Sequence, residues 1–151
     1  MTTKIGINGF GRIGRCILSH IAATGRTDIE VVKINATGPI ETAAHLIKYD
    51  SVHGRFPGEI TVDDGYLNLG QNDIEVMSSY NLEELDWTGC DVVLECTGKF
   101  NDGNKASVHL EQGAKRVLKE ELHEVVHTEQ ASGRRRAVSR CQYIGLVCGR
   151  G

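Results

Sequence analysis

The chain has 151 residues, enough for one domain with a core and too few for two ordinary ones. Its 40% hydrophobic content and net charge of −3 exclude a disordered or strongly basic protein. No apolar run approaches the roughly 18 residues of a membrane helix and no signal-peptide pattern is present, while five cysteines without a Cys-x-x-Cys pair point to thiols in a reducing cytoplasm and away from zinc.

Residues 4–8 form an apolar strand that runs straight into Gly9-x-Gly11-x-x-Gly14. Each glycine has its own expected role in holding a dinucleotide. Gly9 permits the tight turn, Gly11 lets backbone approach a pyrophosphate, and Gly14 lets the following helix sit close on the sheet. That helix, expected over residues 12–23, carries Ile13, Ile17, Leu18 and Ile21 on one face and is closed by Gly25. Its N-terminus would offer unbonded N–H groups and the positive dipole end to phosphate. A β-branched strand at 30–34 completes a βαβ unit with a right-handed crossover. Pro39 opens a second helical stretch with Ala43, Ala44, Leu46 and Ile47 as its apolar face.

Residues 59–62 and 66–69 alternate apolar with polar around Asp63-Asp64-Gly65, which predicts an antiparallel hairpin. Short strands are expected at 73–77, 92–95 and 116–118, with a helical stretch around 105–112 ended by Gly113. The fold class is α/β: a Rossmann-like, doubly wound, mostly parallel sheet with a small antiparallel hairpin insertion.

Three motifs carry a family resemblance. Asn8-Gly9-Phe10-Gly11-Arg12-Ile13-Gly14-Arg15, then Tyr49-Asp50-Ser51-Val52-His53-Gly54, then Glu95-Cys96-Thr97-Gly98-Lys99-Phe100 resemble the N-terminal half of glyceraldehyde-3-phosphate dehydrogenases, over residues 4 to about 118. The resemblance implies a phosphorylating aldehyde dehydrogenase of glycolysis that uses NAD and assembles as a homo-oligomer. A relative acting on erythrose 4-phosphate shares the outline. Carried over by position, Asn8, Gly9, Phe10, Gly11, Arg12, Ile13 and Gly14 would lie at the pyrophosphate and adenosine side of NAD, with Asn35 and Ala36 at the ribose. Thr97 and Gly98 would lie near the nicotinamide half. A simple strand-ending turn is the alternative for Thr97-Gly98, and a structural histidine the reading of His53.

The chain departs from the family pattern in two places. After the second strand, dinucleotide sites call for an acid on the ribose hydroxyls, and this chain has Asn35-Ala36-Thr37. Ala36 can neither accept those hydrogen bonds nor repel a 2′-phosphate, so NADP is left open beside NAD; Thr37 or Asn35 would supply a neutral bond. Tyr80 replaces an arginine frequent near the adenine, as a stacking surface or a plain surface tyrosine. The second departure is catalytic. The family's Ser-Cys-Thr-Thr-Asn-Cys motif is absent, and none of Cys16, Cys90, Cys96, Cys141 or Cys148 has the surroundings of a nucleophile. No residue is assigned a catalytic role and none a metal.

Composition changes near residue 118. Residues 1–118 carry a net charge of −5 and residues 119–151 a net of +2. The expected division is a dinucleotide-binding domain over 1–118 and an unmatched tail over 119–151. Leu118, Leu122, Val125 and Val126 suggest a short amphipathic helix in that tail, followed by a disordered segment. Arg134, Arg135, Arg136 and Arg140 lack interleaved aromatics, so a solvated tail is preferred over a nucleic-acid contact. A truncated or frame-shifted gene is the expected origin, leaving a cofactor-binding part that self-associates through uncovered apolar surface. The alternative is a regulatory nucleotide-binding module that joins full-length subunits.

Overall fold

The computed structural model describes residues 1–51, 54–99, 107–119, 124–127 and 136–139. The readings of His53, Lys105, Leu122, Arg134, Arg135, Arg140, Cys141 and Cys148 lie outside the described residues. In chain order, β1 (Thr3–Asn8), α1 (Arg12–Thr24) and β2 (Ile29–Asn35) form the first βαβ unit. There follow α2 (Ile40–Lys48), β3 (Tyr49–Asp50), β4 (Gly54–Arg55), β5 (Thr61–Asp63), β6 (Tyr66–Asn68) and β7 (Asp73–Met77). A 3-10 turn at Leu82–Glu84 leads to β8 (Val92–Glu95), α3 (Val108–Glu111), β9 (Arg116–Lys119), β10 (Glu124–His127) and β11 (Arg136–Ser139).

Nine of these strands make one sheet in the order β11-β10-β9-β8-β1-β2-β7-β6-β5. The central run β9-β8-β1-β2-β7 is parallel, and both flanks are antiparallel. The expected hairpin is present as β5 and β6. Asp64 and Gly65 turn it with φ of 42° and 81°, the pair of positive values a two-residue hairpin loop of this hand requires. It extends the main sheet because β6 pairs with β7. β3 and β4 form a separate two-stranded ribbon.

The elements α1, β10 and β11 differ from the sequence expectation, β11 by pairing with β10 where a disordered segment is expected. On α1 the buried residues are Gly14, Leu18 and Ile21, and Ile13 is left exposed. The helix is rotated so that Gly14, which has no side chain, meets the sheet; a larger residue there would hold the helix off. Val125 and Val126 lie in β10, not in a helix, opposite Leu118 and Val117 of β9. Adjacent β-branched residues suit a pleated ladder better than a helix once a strand edge is available to pair with.

The core forms on both faces of the parallel strands. One cluster joins Ile7, Ile34, Leu18, Ile21 and Ile47, and a second gathers Leu85, Cys90, Val93 and Ala114 around Trp87. Trp87 is completely buried, and a Cβ on Gly6 would come within 2.6 Å of its ring, so that strand position has no room for a side chain.

Beside this cluster, Asp86 is bonded by Thr88 and by Lys33, whose ammonium lies 3.1 Å from the carboxylate. Hydrogen bonds from Thr88 and then from Lys33 hold the Asp86 carboxyl at about 2, below its ordinary 3.8. A folded value below the unfolded one means that the contribution is complete above the ordinary value and is lost as pH falls toward 2. Asp86→Asn is therefore expected to be less stable than wild type near neutrality, by a modest amount because the side chain is exposed. The gap should close as the pH drops from about 4 to about 2. Denaturant melts across that range read it, and a gap independent of pH would contradict the assignment.

Candidate functional site

The carboxyl ends of β1, β2 and β8 open onto a cavity of about 360 Å³. This is the edge of a parallel sheet where α/β proteins bind ligands. The glycine loop forms one wall. Gly9 has φ of 92°, and a Cβ there would fall 2.6 Å from Thr97 Cγ2 and 2.8 Å from Thr97 N. A Cβ on Gly14 would fall 2.5 Å from the Gly9 carbonyl oxygen, which locks the first turn of α1 onto the loop. Gly11 is the opposite case: it borders the cavity and a Cβ would meet no protein atom within 4 Å. The first helical bond of α1 runs from Arg15 N to Gly11 O, so the amides of Arg12, Ile13 and Gly14 have no carbonyl partner within the helix.

Of the residues expected at the site, Asn8, Gly9, Phe10, Gly11, Asn35, Ala36 and Thr97 line the cavity together. Arg12, Ile13 and Gly98 are exposed and outside the lining, and Gly14 is buried beneath the loop. Another part of the lining comes from Thr37 and Pro39 before α2 and Thr42 and Leu46 within it, with Ser79, Tyr80 and Leu82 after β7. Leu46, expected in the apolar core face of α2, is instead exposed on the cavity wall. Tyr80, 79% exposed, presents its ring at the rim. Arg15 and Lys99 also line the cavity, and among the described residues none of the lining is acidic. Arg15 Nη1 donates to the Phe10 carbonyl at 3.2 Å, tying the helix to the loop it follows.

Beneath the cavity runs a buried polar network. Glu95, the last residue of β8, accepts Asn8 Nδ2 at 2.6 Å and His109 Nε2 at 2.7 Å on one carboxylate oxygen. Its other oxygen accepts Thr97 N at 3.0 Å and the Thr97 hydroxyl. Asn8 Oδ1 accepts Asn35 Nδ2 at 2.7 Å, and Asn35 Oδ1 accepts Ser79 N at 3.0 Å. Trp87 Nε1 donates to His109 Nδ1 at 2.9 Å. An indole N–H only donates, so the His109 ring proton sits on Nε2, facing Glu95. Burial alone would raise the Glu95 carboxyl, but the donors from His109, Thr97 and Asn8 outweigh it and hold it below the usual carboxylate range.

This network bears on the expectation for Asn35. Asn35 Nδ2 is shared between Asn8 Oδ1 and the Ser79 carbonyl, and its oxygen holds the Ser79 amide, so its side chain is engaged inside the protein. It shapes the cavity floor, with its nitrogen and its oxygen both bonded to protein groups. Sequence reading placed Glu95 in a motif without giving it a role and missed His109; the available signals were an acid ending the apolar run Val92-Val93-Leu94 and a histidine between Val108 and Leu110. Among the thiols, burial pushes Cys90 up to about 11, which leaves it protonated near neutrality and inert as a nucleophile.

A profile described as the glyceraldehyde 3-phosphate dehydrogenase NAD-binding domain matches residues 3–103, the stretch that builds this cavity. The chain belongs to that family. Similar proteins include the glyceraldehyde-3-phosphate dehydrogenases of Cereibacter sphaeroides, 53% identical over 118 residues, and Xanthobacter flavus, 54% identical over 120 residues. That of Pseudomonas aeruginosa is 48% identical over 122 residues. These matches cover 78% of this chain, which spans about a third of the length of the relatives, 35% of the first. As a NAD-binding domain of glyceraldehyde 3-phosphate dehydrogenase type, the chain has the family's glycine loop, with Ala36 where an acid is called for at the end of β2. Among the described residues, no helix is long and apolar enough to cross a membrane.

Proposed function

We propose that the cavity at the ends of β1, β2 and β8 holds NAD, and tolerates NADP, as the cofactor site of a phosphorylating glyceraldehyde-3-phosphate dehydrogenase. The observation that carries this reading is the glycine loop's division of labour. Two glycines are filled around by protein, and the third opens onto a cavity that Arg15 and Lys99 line, with no carboxylate among the described residues. A pyrophosphate needs that combination of close backbone, positive charge and a helix N-terminus. The bound nicotinamide supplies hydride acceptance. This chain's residues would do the holding: the Gly11 backbone and Arg15 at the phosphates, beside the N-terminus of α1, Leu46 and Tyr80 at the adenine, and Thr97 at the far end. Ala36 leaves room at the ribose, and with no carboxylate there a 2′-phosphate meets no like charge.

Gly11→Val separates binding from folding. Gly11 has φ of −79°, which any residue adopts, and its Cβ direction is empty. The variant is expected to melt within a few degrees of wild type and to bind NAD at least tenfold more weakly, because the branched side chain occupies the phosphate's place. Calorimetric titration of both proteins checks this. Unchanged affinity in the variant, or no saturable NAD binding by wild type, would overturn the reading.

A further inference from the structure

The network under the cavity has a direction, and one charge sets it. The Glu95 carboxylate only accepts, so Asn8 must turn its amide nitrogen toward it, leaving Oδ1 for Asn35. Asn35 in turn presents its oxygen to the Ser79 amide, a donor that cannot be reversed. On the other side, the Trp87 indole fixes the tautomer of His109, which donates to the same carboxylate. Four donors therefore converge on Glu95, and both ends of the chain are held by groups with no freedom to switch roles. Among the described residues, no buried side-chain nitrogen or oxygen lacks a partner. A fully satisfied network of this kind rigidifies what it touches. It touches the cavity at Thr97, Asn8, Asn35 and Ser79, from one end to the other.

We propose that Glu95 is a positioning residue for the dinucleotide, its carboxylate orienting the Asn8–Asn35–Ser79 chain and Thr97 so that the cavity floor is preformed. This rests on the cofactor reading above. The glycine loop depends on the same residues: Gly9 lies directly against Thr97, and its amide bonds the Asn35 carbonyl at 3.2 Å. A floor that shifts at either residue moves the loop that faces the phosphates.

Glu95→Gln tests the role of direction at constant shape. A glutamine amide must turn its NH₂ either to the two Thr97 donors or to Asn8 and His109, and both arrangements set donor against donor. In the folded variant, affinity for NAD and for ADP-ribose is expected to fall about 10- to 100-fold, the loss typical of hydrogen bonds to a charged group. Without ligand, hydrogen exchange at the Ser79 amide should accelerate, although Ser79 reaches Glu95 only through Asn35 and Asn8. The Ala36 amide, bonded to the Met77 backbone carbonyl at 2.9 Å, is the control and should not change. General loosening would speed both amides and leave the affinity of the folded fraction intact.

His109→Leu is the second variant, should Glu95→Gln fail to fold. His109 is buried and outside the cavity lining, so its effect on NAD passes through Glu95 and through Asn8, whose Nδ2 lies 3.4 Å from His109 Nε2. It should weaken NAD about 2- to 10-fold, less than Glu95→Gln because one of the four donors to the carboxylate is lost and three remain, and His109→Gln, which returns a donor near the Nε2 position, should recover it. NAD affinity equal to wild type in folded Glu95→Gln or in His109→Leu overturns the positioning role. Failure of wild type itself to bind NAD, with Ser79 exchange still responding to Glu95, overturns the cofactor reading instead.

Discussion

Gly14→Ala is expected to lower the melting temperature by about 2–8 °C, which corresponds to roughly 1–2 kcal/mol for a chain of this length. Two effects of opposite sign meet at this residue. Alanine is the better helix former, by about 1 kcal/mol over glycine. Against that, the new methyl would sit 2.5 Å from the Gly9 carbonyl oxygen and 3.1 Å from Ile7 Cγ2. Neither neighbour can give way cheaply. Gly9 is held at a positive φ against Thr97, and Ile7 is fully buried in the central strand. Overpacking of this kind costs about 1–3 kcal/mol and more where backbone must move, so it exceeds the helix-propensity gain. The first turn of α1 would lift from the loop, and NAD affinity should fall with stability. Thermal melts of Gly14→Ala beside Gly11→Ala decide it. Equal melting temperatures for the two would show that the close approach of helix and sheet has no energetic weight.

Ala36→Asp is expected to tighten NAD about 10- to 100-fold and to weaken NADP, so that the ratio of the two affinities moves further than either alone. The reason is charge as well as hydrogen bonding. A carboxylate at the end of β2 accepts bonds from ribose hydroxyls, each charge-assisted bond contributing about 1.5–3 kcal/mol, and it repels a 2′-phosphate. Asn35 is no equivalent, because its amide carries no charge and already bonds Asn8 and Ser79. Ala36 is buried, so the aspartate also carries a desolvation cost, and the variant without ligand should be somewhat less stable than wild type. Competitive titration with NAD and NADP reads the ratio. An unchanged ratio would mean that the ribose end of the dinucleotide lies away from residue 36.

The local features of this chain were legible in its sequence because each is written within a few residues. The glycine spacing, the apolar runs of β1, β2 and β8, the left-handed Gly25 that ends α1 and the Asp64-Gly65 hairpin turn all follow from backbone sterics and short-range periodicity. Those signals determine a βαβ start and a dinucleotide-type loop before any tertiary contact is considered.

Orientation and partnership were decided elsewhere. Periodicity alone put Ile13 on the buried face of α1, but the close fit of Gly14 on the Gly9 carbonyl rotated that residue outward. The β10 strand likewise depends on the β9 edge it pairs with, a partner its own residues do not specify. Glu95 reads in sequence as the polar end of an apolar strand, and Asn35 as a free ribose ligand. Only the fold brings Asn8, Asn35, Glu95 and His109 together, across sequence separations as large as 101 residues, and turns four ordinary polar side chains into one directed network. Steric limits act between neighbours in the chain and so are visible in it. Hydrogen-bond direction in a buried network belongs to the whole set of partners, which exists only once the sheet has assembled.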